Sequence, residues 1–190
     1  MKTEVIGNGT IASARPATIA SSTARRDVMM RNFILQQGFP DPPAALRRRQ
    51  YAALTFQPRV VLILVIVGIL FQSAAVFASL GGLLWLSALF PKLNSFSALY
   101  NRTTGRRPGA FHLGPAPAPR RGAETMAGAF ALVIALLILT RFNAAAYVFQ
   151  AIFLAASLAV ELAGFCFGTF AYHLRRGNAK FALQTLPWAR

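Results

Sequence analysis

Beyond its arginines and amides, the 190-residue chain offers little for chemistry: one cysteine, two histidines and five acids. Cys166, Thr169 and His173 fall within about 60° of one another at roughly 100° per helical residue, which aligns a thiol, a hydroxyl and an imidazole on one stripe. One soft ligand and one imidazole are too few to close a metal site, and the other histidine, His112, stands in a Pro/Gly-rich loop. No metal and no cofactor is therefore expected. The thiol alone remains a functional candidate, because Arg175 and Arg176 would favour the thiolate that carries out redox exchange. A single cysteine excludes both an intramolecular disulfide and paired Cys-x-x-Cys metal sites.

Glu161 is the acid expected inside an apolar span. A carboxylate at a bilayer centre costs roughly 2.5 to 3.5 kcal/mol, which makes it a candidate for proton or ion binding. Its depth argues for a plainer role: counted from Ala144 it lies about 26 Å along the helix, near the headgroups, where a loop arginine can pair with it. Arg141, with Gln72 and Gln150, supplies the polar interruptions that the outer mouth of a transport pathway would need. Gly164 and Gly168 stand four apart, the small-xxx-small spacing that lets helix backbones approach, and packing is the role expected of them. No phosphate-binding loop, no Ser/His/Asp set and no paired carboxylates are present, so no enzyme is expected.

The elements that position these residues follow from composition. Fifty-five per cent of the chain is hydrophobic and only 13% charged, against roughly 25% charged in ordinary soluble domains. Val60 to Phe90 runs without a charge, and a second apolar block extends from Met126 to Leu174. As a single helix the first block would reach about 46 Å, well beyond the roughly 30 Å of bilayer hydrocarbon. Each block is therefore expected to fold back on itself, at Gln72-Ser73 and at Arg141-Phe142-Asn143, where polar residues interrupt the apolar run. This places short spans near 57–71, 75–90, 124–140 and 144–168.

Charge placement agrees with that count. The formal net charge is +15, yet among the 20 basic residues only Arg141 lies within either apolar block. With two long spans, the basic segment 92–122 would face the side opposite the equally basic N-terminus, against the positive-inside bias; with four, all basic segments share one side. The same distribution speaks against nucleic acid as a partner and for the anionic cytoplasmic leaflet.

The expected fold is thus all-α: a polytopic helical membrane protein with four short spans as two hairpins. Its parts are a flexible basic N-terminal tail (1–43) with one amphipathic patch near 28–35, a basic lead-in and first hairpin (44–91), a basic Pro/Gly-rich cytoplasmic linker (92–122), a second hairpin (123–174) and a basic C-terminal tail (175–190). The linker run Gly114-Pro115-Ala116-Pro117-Ala118-Pro119 reads as extended chain.

Particular residues carry a family likeness: Leu54-Thr55-Phe56-Gln57 before the first span, Trp85 with Leu89-Phe90-Pro91, Phe96 with Leu99-Tyr100, Leu113-Gly114-Pro115, Pro119-Arg120-Arg121, Met126-Ala127-Gly128 with Phe130, and Gly164-Phe165-Cys166-Phe167-Gly168-Thr169-Phe170 with Tyr172. Over about residues 51–177 the chain resembles the bacterial multipass membrane family known as domain of unknown function 4395. The resemblance implies an inner-membrane compartment and a four-span fold, and no reaction. Relatives read Gly-Phe-Cys-x-Gly-Cys; Thr169 stands here where the second cysteine falls, so a dithiol pair is not available.

The function expected is that of a structural or accessory component of a membrane complex in the bacterial cytoplasmic (inner) membrane, with both termini cytoplasmic, assembling with itself or with larger partners. Two alternatives belong to other classes: a membrane thiol-redox protein using Cys166, and an oligomeric channel or proton-coupled carrier using Glu161.

Overall fold

A computed structural model describes residues 15–189, and no strand occurs among them. In chain order the helices are α1 (Arg15–Gln36), α2 (Ala44–Leu54), α3 (Phe56–Leu70), α4 (Ala74–Leu89), α5 (Ser95–Arg102), α6 (Ala118–Leu139), α7 (Asn143–Ala163), α8 (Phe167–Arg175) and α9 (Ala179–Gln184). The two apolar blocks fold as the hairpins α3–α4 and α6–α7.

Both reversals are encoded locally, and by the same device. At the end of α3, Gln72 is left-handed (φ 44°), its N–H donates to the Ile69 carbonyl at 3.3 Å, and the Ser73 N–H donates to the Gly68 carbonyl at 3.0 Å. At the end of α6, Arg141 is left-handed (φ 61°), donating to Ile138 at 3.1 Å, while the Phe142 N–H donates to Leu137 at 3.0 Å. These are Schellman turns, which satisfy the last helical carbonyls before the chain reverses. The Ser73 hydroxyl then accepts from the Val76 N–H and caps α4. The Gln72 and Gln150 amides bond reciprocally at 3.1 and 3.2 Å, linking the two hairpins at this end.

The hairpins differ in length. With 15 and 16 residues, α3 and α4 are about 22 and 24 Å long, whereas α6 and α7, with 22 and 21, reach about 33 and 32 Å. Three stretches, Ala44–Leu70, Ala118–Leu139 and Asn143–Ala163, are long and apolar enough to cross a membrane, and Ala74–Leu89 is a shorter apolar helix. The expected third span is corrected from 124 back to Ala118: Pro119 falls in the first helical turn, where its missing N–H costs nothing. The expected fourth span ends at Ala163 rather than at 168, because Gly164 adopts a left-handed conformation (φ 62°) and stops the helix.

The bundle core is Val65 of α3, Phe77, Leu80 and Leu84 of α4, and Ala131 and Ile134 of α6. It closes most tightly where α4 crosses α6. A Cβ on Gly81 would come within 2.7 Å of Leu132 and 3.0 Å of the Gly128 carbonyl, and one on Gly128 would collide with the Trp85 ring. The Trp85 indole donates to the Thr125 carbonyl at 3.1 Å across the same crossing.

The segments expected to be tail and linker form a second packed layer at the opposite end from the two turns. From Arg15 onward the expected flexible tail is helical, and its amphipathic patch docks on the chain itself: Phe33 and Ile34 are fully buried with Ala53, Leu54, Tyr100 and Leu113. The Phe33 ring stands edge-on to Tyr51 at 5.3 Å, and Arg47 pairs with both Asp27 and Asp41. The expected extended linker contains α5, and Asn101 pins it back by donating to the Leu113 carbonyl at 2.9 Å and accepting from the Leu113 N–H at 3.0 Å. The expected C-terminal tail contains α9, with Ala182 and Thr185 buried. The part of the expected tail before Arg15 lies outside the described residues. Outside this layer, the described basic residues of the two hairpins are Arg59 of α3, Arg120 and Arg121 at the start of α6, and Arg141 at the outer turn.

Candidate functional site

The polar centre of the molecule lies where α3, α6 and the Pro91–Leu93 turn converge on the basic side of the bundle. Arg120 and Glu124, one helical turn apart on α6, are about 95% buried, at 5% and 4% residual exposure. Their Nε and Oε1 atoms lie 3.7 Å apart. An Nη2–H of Arg120 donates to Gln57 Oε1 at 2.8 Å, and the Asn94 amide donates to Glu124 Oε1 at 3.2 Å. Glu124 Oε2 is buried and makes no hydrogen bond. Such a pair persists in an apolar interior only because each charge neutralises the other, and removing one partner strands the second.

These charges form the floor of a cleft. α6 and α7 meet through Phe130, whose ring lies 5.3 Å from Phe149 and 6.2 Å from Phe153. On the basic side of those rings a cavity of about 200 Å³ remains between the two helices, backed by α3 and closed below by α8. Met126, Ala127 and Phe130 form one wall, Ile152, Ala156 and Val160 the other, and Gln57, Arg120, Glu124 and Cys166 the polar end. Small residues keep it open. A Cβ on Gly168 of α8 would approach Ala123 to 2.8 Å, so α8 seals the lower edge by close backbone packing.

The polar stripe expected from Cys166, Thr169 and His173 is not one helical stripe, because α8 begins only at Phe167 and leaves Cys166 as an extended residue before it. Cys166 caps the start of α8, and its N–H donates to Gln36 Oε1 at 3.1 Å. Its partly buried thiol belongs to the cleft. Cys166 also packs against the second layer, His173 Nε2 lies 3.0 Å from the Gln36 carbonyl, and Thr169 is fully buried. Gly164 and Gly168 accordingly act apart: the first ends α7 against Met29, the second packs α8 on α6. Among the described residues no three His, Cys, Asp or Glu side chains come together as a metal site.

Glu161 pairs with Arg59 at 3.0 Å, a residue of α3 rather than of the loop. Arg25, Arg26, Tyr51 and Trp188 surround this pair across an open hollow. Arg141 is exposed at the outer turn, and the structure does not bring it to Gln150 in the way Gln72 is brought. Sequence reasoning passed over Glu124. The available signal was its i,i+4 spacing from Arg120 at the start of an apolar helix, where an ion pair permits both charges to be buried.

Three helical stretches long and apolar enough to cross a bilayer, with a shorter apolar helix beside them, define a membrane protein of the helical class. The chain belongs to the family described as Domain of unknown function (DUF4395), whose model matches residues 52–176. That match covers both hairpins and the Arg120–Glu124 floor. No curated protein and no solved structure matches the chain.

Proposed function

We propose that the chain crosses the bacterial cytoplasmic membrane four times, with its N-terminus, the 92–122 segment and its C-terminus on the cytoplasmic side, and that it serves as a structural or accessory component of a membrane complex. The uneven hairpins carry the assembly part of this reading. α4 falls about 6 Å short of a roughly 30 Å hydrocarbon layer, whereas α6, α7 and the stretch Ala44–Leu70 that contains α3 reach across it. A short span relieves its mismatch by thinning the bilayer or by packing against a partner. Ile63, Ile66 and Leu70 of α3 and Leu83 and Leu86 of α4 are exposed along this hairpin, available to a second copy or a larger complex.

Orientation is supported by the single basic end, since positively charged segments stay cytoplasmic. Each surplus arginine near anionic lipid contributes about 1 kcal/mol, which makes that leaflet, and not nucleic acid, the partner of the basic layer. No bond-making chemistry is assigned to the chain. Glu161, held by Arg59, and Cys166, without a second thiol, are assigned neither transport nor redox exchange. Extraction in mild detergent, sizing and identification of whatever copurifies test this reading. Comigration with further copies or larger partners is expected; a lone monomer in every detergent and lipid condition contradicts it.

A further inference from the structure

The cleft between α6 and α7 is a void the chain does not fill. Ala127, Ala156 and Gly168 line it where larger residues would close it, and Ile152 and Phe167, also in its lining, are both about half exposed. The apolar walls of such a cleft suit an apolar occupant, because they offer water no hydrogen-bond partner. At its inner end, however, stands a polar requirement. Glu124 lines this cavity, and its Oε2 is buried and without a hydrogen-bond partner. Leaving a buried acceptor unpaired is costly, so the occupant that suits this site brings a donor to that atom.

The floor also limits the charge of that occupant. Arg120 and Glu124 already neutralise each other, so a further net charge at the inner end would be buried without a counterion. The space is small, about 200 Å³, which disfavours a bulky zwitterionic headgroup. What remains is a compact neutral donor on a long apolar body. We propose that the cleft binds a neutral amphiphile, an aliphatic or isoprenoid chain bearing a hydroxyl, with the chain lying between α6 and α7 and the hydroxyl donating to Glu124 Oε2. Two membrane sources share this chemistry: a glyceride hydroxyl and the aromatic hydroxyl of a quinol.

The test uses the full-length protein in nanodiscs and a diazirine-bearing hexadecanol as photoprobe. Crosslinks are expected on α6 and α7 peptides around Ala127 and Ala156. Hexadecanol is expected to compete about tenfold or more better than hexadecyl methyl ether, which matches it in length but donates no hydrogen bond. Glu124→Gln is expected to shrink that alcohol-over-ether preference, and Ala156→Leu, which fills the cleft, to abolish crosslinking while the protein stays monodisperse. Competition by a diacylglycerol identifies a glyceride occupant, and competition by a short-chain quinol identifies a quinol; either outcome supports the site. Equal competition by alcohol and ether in the parent protein overturns the hydroxyl assignment. Crosslinking unchanged in a folded Ala156→Leu variant overturns the cleft itself.

Discussion

Arg120 and Glu124 provide the sharpest quantitative expectation. At 3.7 Å and an effective dielectric constant of about 20, their attraction is on the order of 4 kcal/mol, and breaking a buried pair from one side costs about 3 to 5 kcal/mol. Arg120→Met therefore loses roughly that amount, because Glu124 stays buried with only neutral amides, those of Asn94 and Gln57, to offset its charge. Arg120→Met combined with Glu124→Met removes both charges. It leaves Gln57 and Asn94 each short of one bond at about 1 kcal/mol, so its net loss is about 2 kcal/mol. The double variant should then be more stable than Arg120→Met alone. Unfolding titrations with SDS in mixed micelles, followed by circular dichroism and tryptophan fluorescence, read these differences. Losses that simply add, leaving the double variant less stable than either single one, would refute the view that the two charges are held only by each other.

Three further expectations follow from packing and backbone. Gly128→Ala should destabilise by about 1 to 3 kcal/mol in the same titration, since its Cβ runs into Trp85, whereas Gly82→Ala, where a Cβ meets nothing within 4 Å, should be neutral or stabilise by up to about 1 kcal/mol. Phe33→Ala should cost about 3 to 5 kcal/mol, because the ring is fully buried against Tyr51; a loss below about 1 kcal/mol would mean that α1 is not docked. Arg141→Gly should raise stability by about 1 kcal/mol by relieving a left-handed arginine; a clear loss would show that the exposed guanidinium makes a contact at the outer turn.

The hairpins were legible in the sequence because length and charge are enough to require them. A 31-residue uncharged run cannot lie in one span, and Gln72 and Arg141 are the polar residues at which it and its successor turn. What escaped is the packed basic layer. Its anchors, Phe33, Ile34, Leu54, Tyr100 and Leu113, are scattered among arginines, serines and prolines with no sustained period, and their partners are far away in sequence. A pattern method sees a tail there because burial arises only after the hairpins bring α2, α5 and the end of α7 together. The break at Gly164 escaped for a different reason: a glycine four residues from another fits close helix packing and a helix stop equally well, and only its left-handed backbone separates the two. Glu124 is illegible in the sequence as a buried acid because it stands at the edge of an apolar run beside two arginines, where a carboxylate is ordinarily solvated; only its pairing with Arg120 permits burial.

Reporter fusions after Pro108 and after Phe142 test the central claim most directly, since these positions lie at opposite ends of the bundle. A cytoplasmic signal after Pro108 and a periplasmic one after Phe142 are the predicted pair; a periplasmic signal after Pro108 would contradict the four-span arrangement and the cytoplasmic placement of the basic layer.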